Sequence, residues 1–276
     1  MENITENTTF SAESNPGLAN SIVEQVISKP VVEEAAIIEV ISPTDTTVDL
    51  PGGFINSIGE VVRVAEVKEL NGRDEEYISK ANSTGKMLSA VISRGVVSIG
   101  GEKATERMLD ALLAGDRDAL LLGIYRATFG NTAEINSYCS GCEDWKQVEV
   151  DLSKDIEFKV LIDPIEDRTF TVKGRRDEYL VGLPTGHTQK ELNVSVERTM
   201  SEMATVLLQD TIQEINGLVV YNKDMVNNIG IQDRRTISEA IAEHSPGPQF
   251  NDLKVTCPEC TSEVVVPINL GALFRL

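Results

Sequence analysis

Apolar positions along the chain fall into short alternating runs and a few helical stripes, with polar turns between them. Val62 and Val64 are spaced by two, as are Leu192, Val194 and Val196, and that period predicts strands. Met200, Met203, Ala204, Leu207, Leu208, Thr211, Ile212 and Ile215 follow i, i+3, i+4 spacing instead, which predicts a helix stopped by Gly217. Another helix is expected where Asp74 caps a segment running through Glu75 and Glu76. Asp116-Arg117 and Asp233-Arg234 each read as the start of a short helix with the aspartate as N-cap. Thr169-Phe170-Thr171-Val172 and Tyr179-Leu180-Val181, parted by a polar stretch containing Gly174, predict a hairpin. Hairpins mixed with paired helices, without regular βαβ alternation, predict an α+β fold.

Several of these landmarks occur twice in the same order, the mark of an internal duplication. Leu50-Pro51-Gly52-Gly53 is echoed by Leu183-Pro184-Thr185-Gly186 at a shift of 133, and Arg94-Gly95-Val96-Val97 by Asn216-Gly217-Leu218-Val219 at 122. Asp116-Arg117 and Asp233-Arg234 lie 117 apart, and Cys139-Ser140-Gly141-Cys142 and Cys257-Pro258-Glu259-Cys260 lie 118 apart. After the second cysteine, Val148, Val150 and Leu152 in one copy match Val266, Ile268 and Leu270 in the other, both with strand period. The expected organisation is two tandem repeats of strands plus short helices, residues 50–158 and 183–276, with a connecting hairpin at 159–182. Residues 1–49 carry nine acidic side chains and one base among Ser, Thr, Asn and Pro, and read as an extended arm with too little apolar surface to fold alone.

The two CxxC turns carry the chemistry. Zinc takes four thiolates tetrahedrally, and each CxxC turn presents two sulfurs to one point, so Cys139, Cys142, Cys257 and Cys260 are the candidate ligands of one structural Zn2+ in a ribbon-like site. The pairs lie much farther apart than in a compact ribbon. Loop closure grows only logarithmically, adding on the order of 2 kcal/mol. Structural zinc contributes about 10–16 kcal/mol, so the ion prevails. Both pairs lead into strands, unlike a redox CxxC at a helix N-terminus, and four thiolates leave no open position for catalysis; plain reduced thiols without metal are the remaining alternative.

Composition narrows the function further. Lys and Arg number 25 against 44 Asp and Glu, a net charge of -19, which argues against nucleic acid as a partner. The second CxxC is followed by Glu263 and the first by Glu143-Asp144, with Lys146 as the nearby base, so the turns themselves are not basic. No run approaches a membrane span of roughly 18 apolar residues. The opening Met1-Glu2-Asn3-Ile4 lacks the features of a signal peptide, so the expected setting is a reducing cytosol. With two histidines, His187 and His244, and no HExxH, GxSxG or phosphate loop, no enzyme is expected, and His187 reads as a surface or interface residue.

The acidic lead, LPGG, Val67-Lys68-Glu69-Leu70-Asn71-Gly72-Arg73-Asp74-Glu75-Glu76, Gly115-Asp116-Arg117, Leu120-Leu121-Leu122 and Tyr125-Arg126-Ala127-Thr128-Phe129-Gly130 form, with the CxxC turns and the Leu270–Leu276 ending, a distinctive order. Over roughly residues 50–276 it resembles the T4-type baseplate hub and tail-assembly family of tailed bacteriophages. That resemblance implies a structural component of the virion tail baseplate, with other phage tail and baseplate proteins as partners in a multi-copy assembly, and passage through the host cytoplasm during assembly. The alternative it leaves is a non-virion assembly factor acting as a chaperone; a nucleic-acid-binding zinc ribbon is the third reading, opposed by the charge.

Overall fold

Residues 46–193, 198–250 and 253–274 are described in the computed structural model. Strands β1 (Thr47–Ile55) and β2 (Val61–Val67) form an antiparallel hairpin. The LPGG residues fall in an irregularity of β1 between Asp49 and Phe54, where Pro51 and the left-handed Gly53 need not serve the strand ladder. Helices α1 (Gly72–Ile78) and α2 (Thr84–Gly95) follow, then β3 (Val96–Ile99) and β4 (Glu102–Lys103). These strands make one four-stranded sheet in the order β1-β2-β3-β4. Helices α3 (Glu106–Ala111) and α4 (Ala114–Phe129) lead to β5 (Thr132–Cys139), β6 (Asp144–Asp151) and β7 (Glu157–Lys159). The next strands are β8 (Thr169–Lys173) and β9 (Glu178–Gly182), followed by α5 (Gly186–Leu192), α6 (Met200–Thr211), β10 (Ile212–Ile215) and β11 (Leu218–Val219). Their sheet runs β11-β10-β9-β8. Helices α7 (Lys223–Asn227) and α8 (Ile231–His244), strands β12 (Gly247–Gln249), β13 (Lys254–Thr256) and β14 (Glu263–Val265), and the short α9 (Leu270–Leu273) complete the described chain. The architecture is mixed α+β, as the sequence pattern predicts.

Helix α4 is the central element. Ala119, Leu120, Leu121, Leu122 and Ile124 are all buried, so this helix is apolar around much of its circumference and sits inside the first half. Each such leucine contributes about 1.5–3 kcal/mol on burial. Leu120, Leu121 and Ile124 pack with Leu50, Ala65, Val91, Ile92 and Ile99 from the first sheet and α2. The same core takes in Leu270 and Phe274, so the C-terminal residues close the first half. A separate core joins Val172, Tyr179 and Val181 to Leu208, Ile212, Val226, Ile237 and Ile241.

The structure corrects several local expectations. Asn71, not Asp74, caps α1; Asp74 is the third helical residue, accepts from the Asn71 amide, and is buried between Lys68 and Arg94 at 2.8 and 2.7 Å. Likewise Leu113 and Gly230 stand at the N-caps of α4 and α8. Asp116 instead accepts the Gly52 amide at 2.6 Å, and Asp233 accepts the Arg175 amide and the Tyr179 hydroxyl, each at 3.0 Å. Their neighbours are also tied inward. Arg117 donates to the Leu109 carbonyl and the Ser89 hydroxyl, and Arg234 to the Val226 carbonyl and the Thr205 hydroxyl.

Helix α6 ends at Thr211 rather than running to Gly217, because Ile212 and Ile215 pair with Val181 and Tyr179 of β9. Gly217 lies instead in the β10–β11 turn, where Asn216 and Gly217 have φ of 51° and 76°. Gly100 and Gly101, at 59° and 80°, make the corresponding turn between β3 and β4, as a two-residue hairpin with both residues left-handed requires. Arg94-Gly95, by contrast, ends a helix. Leu183-Pro184-Thr185-Gly186 leads from β9 to α5, with Thr185 at its N-cap, whereas LPGG is inside β1. Leu192 is helical, and Val194 and Val196 lie outside the described residues. The hairpin expected near residues 169–181 forms, and its second strand also pairs with β10 in the second sheet. Most of the acidic arm lies outside the described residues; its final residues, Thr47, Val48 and Asp49, are part of β1.

Candidate metal centre

The first cysteine pair is carried by the β5–β6 hairpin, whose strands stay in continuous register from Thr132 opposite Asp151 to Cys139 opposite Asp144. The second sits at the end of the β13–β14 hairpin, where Thr256 opposes Glu263. In each turn the residue after the second cysteine has left-handed backbone: Glu143 at φ 54° and Thr261 at φ 59°. This reversal is uncommon for residues with a side chain, and it occupies the same place in both turns. In the second turn the Cys257 amide donates to the Ser262 carbonyl at 2.8 Å and the Thr261 amide to the Cys257 carbonyl at 3.1 Å.

The fold brings the four sulfurs of Cys139, Cys142, Cys257 and Cys260 within 4.8 Å of one another. Cys139 Sγ is 3.5 Å from Cys260 Sγ, and Cys142 Sγ is 3.8 Å from Cys257 Sγ. A tetrahedron with metal–sulfur bonds of ~2.3 Å has edges of about 3.8 Å, so the spacing suits a four-thiolate ion. Cys139 and Cys257 are buried, while Cys142 and Cys260 are half-buried. Val264 packs against them, and Val266 and Ile268 continue into a core with Val148, Val150 and Leu152. The ladder after the second turn ends at Val265, so the expected second strand is shorter than the pattern implies. Even so, Val266, Ile268 and Leu270 are buried in alternation.

The local electrostatics favour a cation among the sulfurs. Hydrogen bonds from the Ser262 hydroxyl and amide draw the Cys260 thiol down to about 6. Contact with Cys260, together with desolvation and the other sulfurs, pushes Cys142 up to about 12. Cys142 thus keeps its proton beside Cys260 unless positive charge is supplied, and a divalent ion would supply it. Around them, Lys146 Nζ lies 2.8 Å from Glu259 and 3.4 Å from Asp144, linking one hairpin to the other.

Close approach of the turns depends on Gly141. A Cβ there would lie 2.9 Å from Cys260 Sγ and nearer still to Ser262 Oγ. Both Gly141 and Ser262 matter to the geometry, yet sequence reasoning used Gly141 only as a turn former and missed Ser262, whose role follows from the turn geometry. His187 is exposed, 3.8 Å from Asp210, and His244 stacks on Phe170 at 4.0 Å between ring centroids; neither approaches the cysteines.

Among the described residues, no helix is long and apolar enough to cross a membrane. A family model described as T4 bacteriophage base plate protein matches residues 62–275, more than half of the chain. Searches of the curated proteins and of the solved structures each give no match. With the match running from β2 through both cysteine turns, the chain belongs to the T4 bacteriophage base plate protein family.

Proposed function

We propose that this protein is a structural building block of a tailed-phage baseplate or its hub, made of two copies of one module and joined by a single zinc ion. The family match carries the functional reading. Its role is structural rather than enzymatic, and its partners are other tail and baseplate proteins in a multi-copy assembly. Two similar surfaces on one chain suit quasi-equivalent neighbours in a ring. The acidic N-terminal segment adds a contact to those neighbours.

Two features support duplication. The order hairpin, two helices, hairpin, two helices and CxxC hairpin occurs from β1 to β6 and again from β8 to β14, with β12 added before the second CxxC hairpin. Gly101 and Gly217, Asp116 and Asp233, and Cys139 and Cys257 lie 116, 117 and 118 residues apart, a nearly constant offset. The arginine contacts obey it as well. Leu109 and Val226 are each eight residues before their arginine, and Ser89 and Thr205 hold matching places in α2 and α6. This offset favours a second module that begins with β8–β9 over one that begins at the LPTG turn.

Cys139, Cys142, Cys257 and Cys260 are the proposed zinc ligands. The all-sulfur donor set, its spacing and the absence of a fifth donor in the cluster among the described residues favour zinc in a structural role. The ion holds the two CxxC turns together and thereby fixes the C-terminal segment to the first module. Quantitative mass spectrometry of purified particles tests the functional reading: stoichiometric presence is expected. Absence from particles, combined with failed baseplate assembly when the protein is removed, would move the chain to an assembly factor.

A further inference from the structure

The sulfur contacts run between the two hairpins, and each joins a buried sulfur to a half-buried one. Cys139, buried, meets Cys260, and Cys257, buried, meets Cys142. The half-buried members are the ones a solvent-borne reagent reaches first. Its buried neighbour then lies within attacking distance across the hairpin boundary. Gly141 leaves no Cβ between the turns, and Val255 and Val264 pack around the same sulfurs, so the contact pairs are held together by more than an ion.

We propose that the four-sulfur joint is redox-convertible: a small-molecule disulfide closes Cys139–Cys260 and Cys142–Cys257, replacing the metal link by two covalent links between the same hairpins. This rests on the four cysteines being a metal site. With oxidised glutathione as the oxidant, the sulfur of Cys142 or Cys260 attacks the glutathione disulfide. One glutathione thiolate leaves and a mixed disulfide remains on the protein. The buried sulfur opposite attacks the protein sulfur of that mixed disulfide and expels the second glutathione thiolate. Four protein thiolates thus become two disulfides, two oxidised glutathione molecules become four thiolates, and the divalent ion leaves unchanged in oxidation state. The joint is therefore kept when a particle passes from the reducing cytoplasm, where thiolates hold metal, to oxidising surroundings, where disulfides persist.

The test uses the full-length chain, purified reduced, with its zinc content measured first and oxidised glutathione then added. Released zinc is followed with a chromophoric chelator, and the disulfides are mapped by mass spectrometry of non-reduced peptides. The expected result is release of the ion together with peptides linked Cys139 to Cys260 and Cys142 to Cys257. Links within a turn, Cys139 to Cys142 or Cys257 to Cys260, would overturn the proposal, as would thiols that stay reduced or stop at glutathione adducts. Protein that starts without zinc but gives the cross-hairpin map would reject the metal reading and leave the pairing standing.

Discussion

The two cysteine hairpins bear the same turn on unequal supports. β5 and β6 pair over eight residues each, and Val148, Val150 and Ala133 anchor them in a core. β13 and β14 pair over three residues each, and beyond them the chain is held by Val266, Ile268, Leu270 and Phe274 inserting into the cores of the first half. A two-stranded hairpin alone is marginal in water. The first is held by its own ladder and by α4; the second depends on the sulfur cluster and on surfaces that belong to its counterpart. In this molecule the joint and the completion of the first core are one structural event.

The sharpest way to break that asymmetry is to remove one of the proposed zinc ligands. Cys142→Ser or Cys260→Ser should each abolish zinc binding and destabilise the chain by about 5–15 kcal/mol, comparable to a domain's whole stability. Metal analysis with chemical denaturation measures it. Hydrogen exchange should show residues 253–274 losing protection before 132–151, and equal loss in both would remove the distinction.

Next in size is Phe274→Ala. Phe274 is fully buried and meets Tyr125 edge-on at 5.6 Å between ring centroids, so truncation should cost about 3–5 kcal/mol. The loss should appear in the first half's core, read as faster exchange in β1, β2 and α4 rather than in β8–β11.

A smaller effect belongs to Asp116. Burial raises Asp116 from 3.8 to about 6 despite the Gly52 amide, and its Oδ2 has no hydrogen-bond partner among the described residues. The folded state therefore binds this proton more tightly than the unfolded chain. Its stabilising contribution is complete below about pH 4 and is lost as pH rises through about 6. Asp116→Asn should remove that pH dependence, gaining up to about 3 kcal/mol over the wild type at pH 7 if the Gly52 contact is kept. Thermal unfolding at pH 5 and pH 7 checks the sign; a variant with the wild-type pH slope would refute it.

Lys146→Met should have the smallest consequence. Its link to Glu259 lies at the surface, where salt weakens ion pairs, so the melting midpoint should shift least and the difference should vanish at high ionic strength.

The α+β class and the cysteine cluster were legible in the sequence because both rest on local signals: period-two runs, helical stripes and CxxC turns. The Asp-Arg landmarks also recur in the structure at their expected offset, but for a tertiary reason. They hold each helix to the preceding hairpin and helix pair, and helix-cap statistics cannot reveal a carboxylate that reaches Gly52 or Tyr179. The end of α6 was hidden because Ile212 and Ile215 fit the helical stripe as well as the strand. Pairing with β9 decides between them. Arg94-Gly95 and Asn216-Gly217 look alike in composition, yet only the latter makes a left-handed turn, and Gly100-Gly101 is its geometric counterpart. Insertion of Leu270 and Phe274 into the first core left no sequence signal beyond their apolarity.

X-ray absorption at the zinc edge of the purified full-length chain tests the central claim most directly. One ion per chain surrounded by four sulfurs at ~2.3 Å is the expected result. An ion bound through nitrogen or oxygen, or metal-free folded protein with four freely titrating thiols, would contradict it.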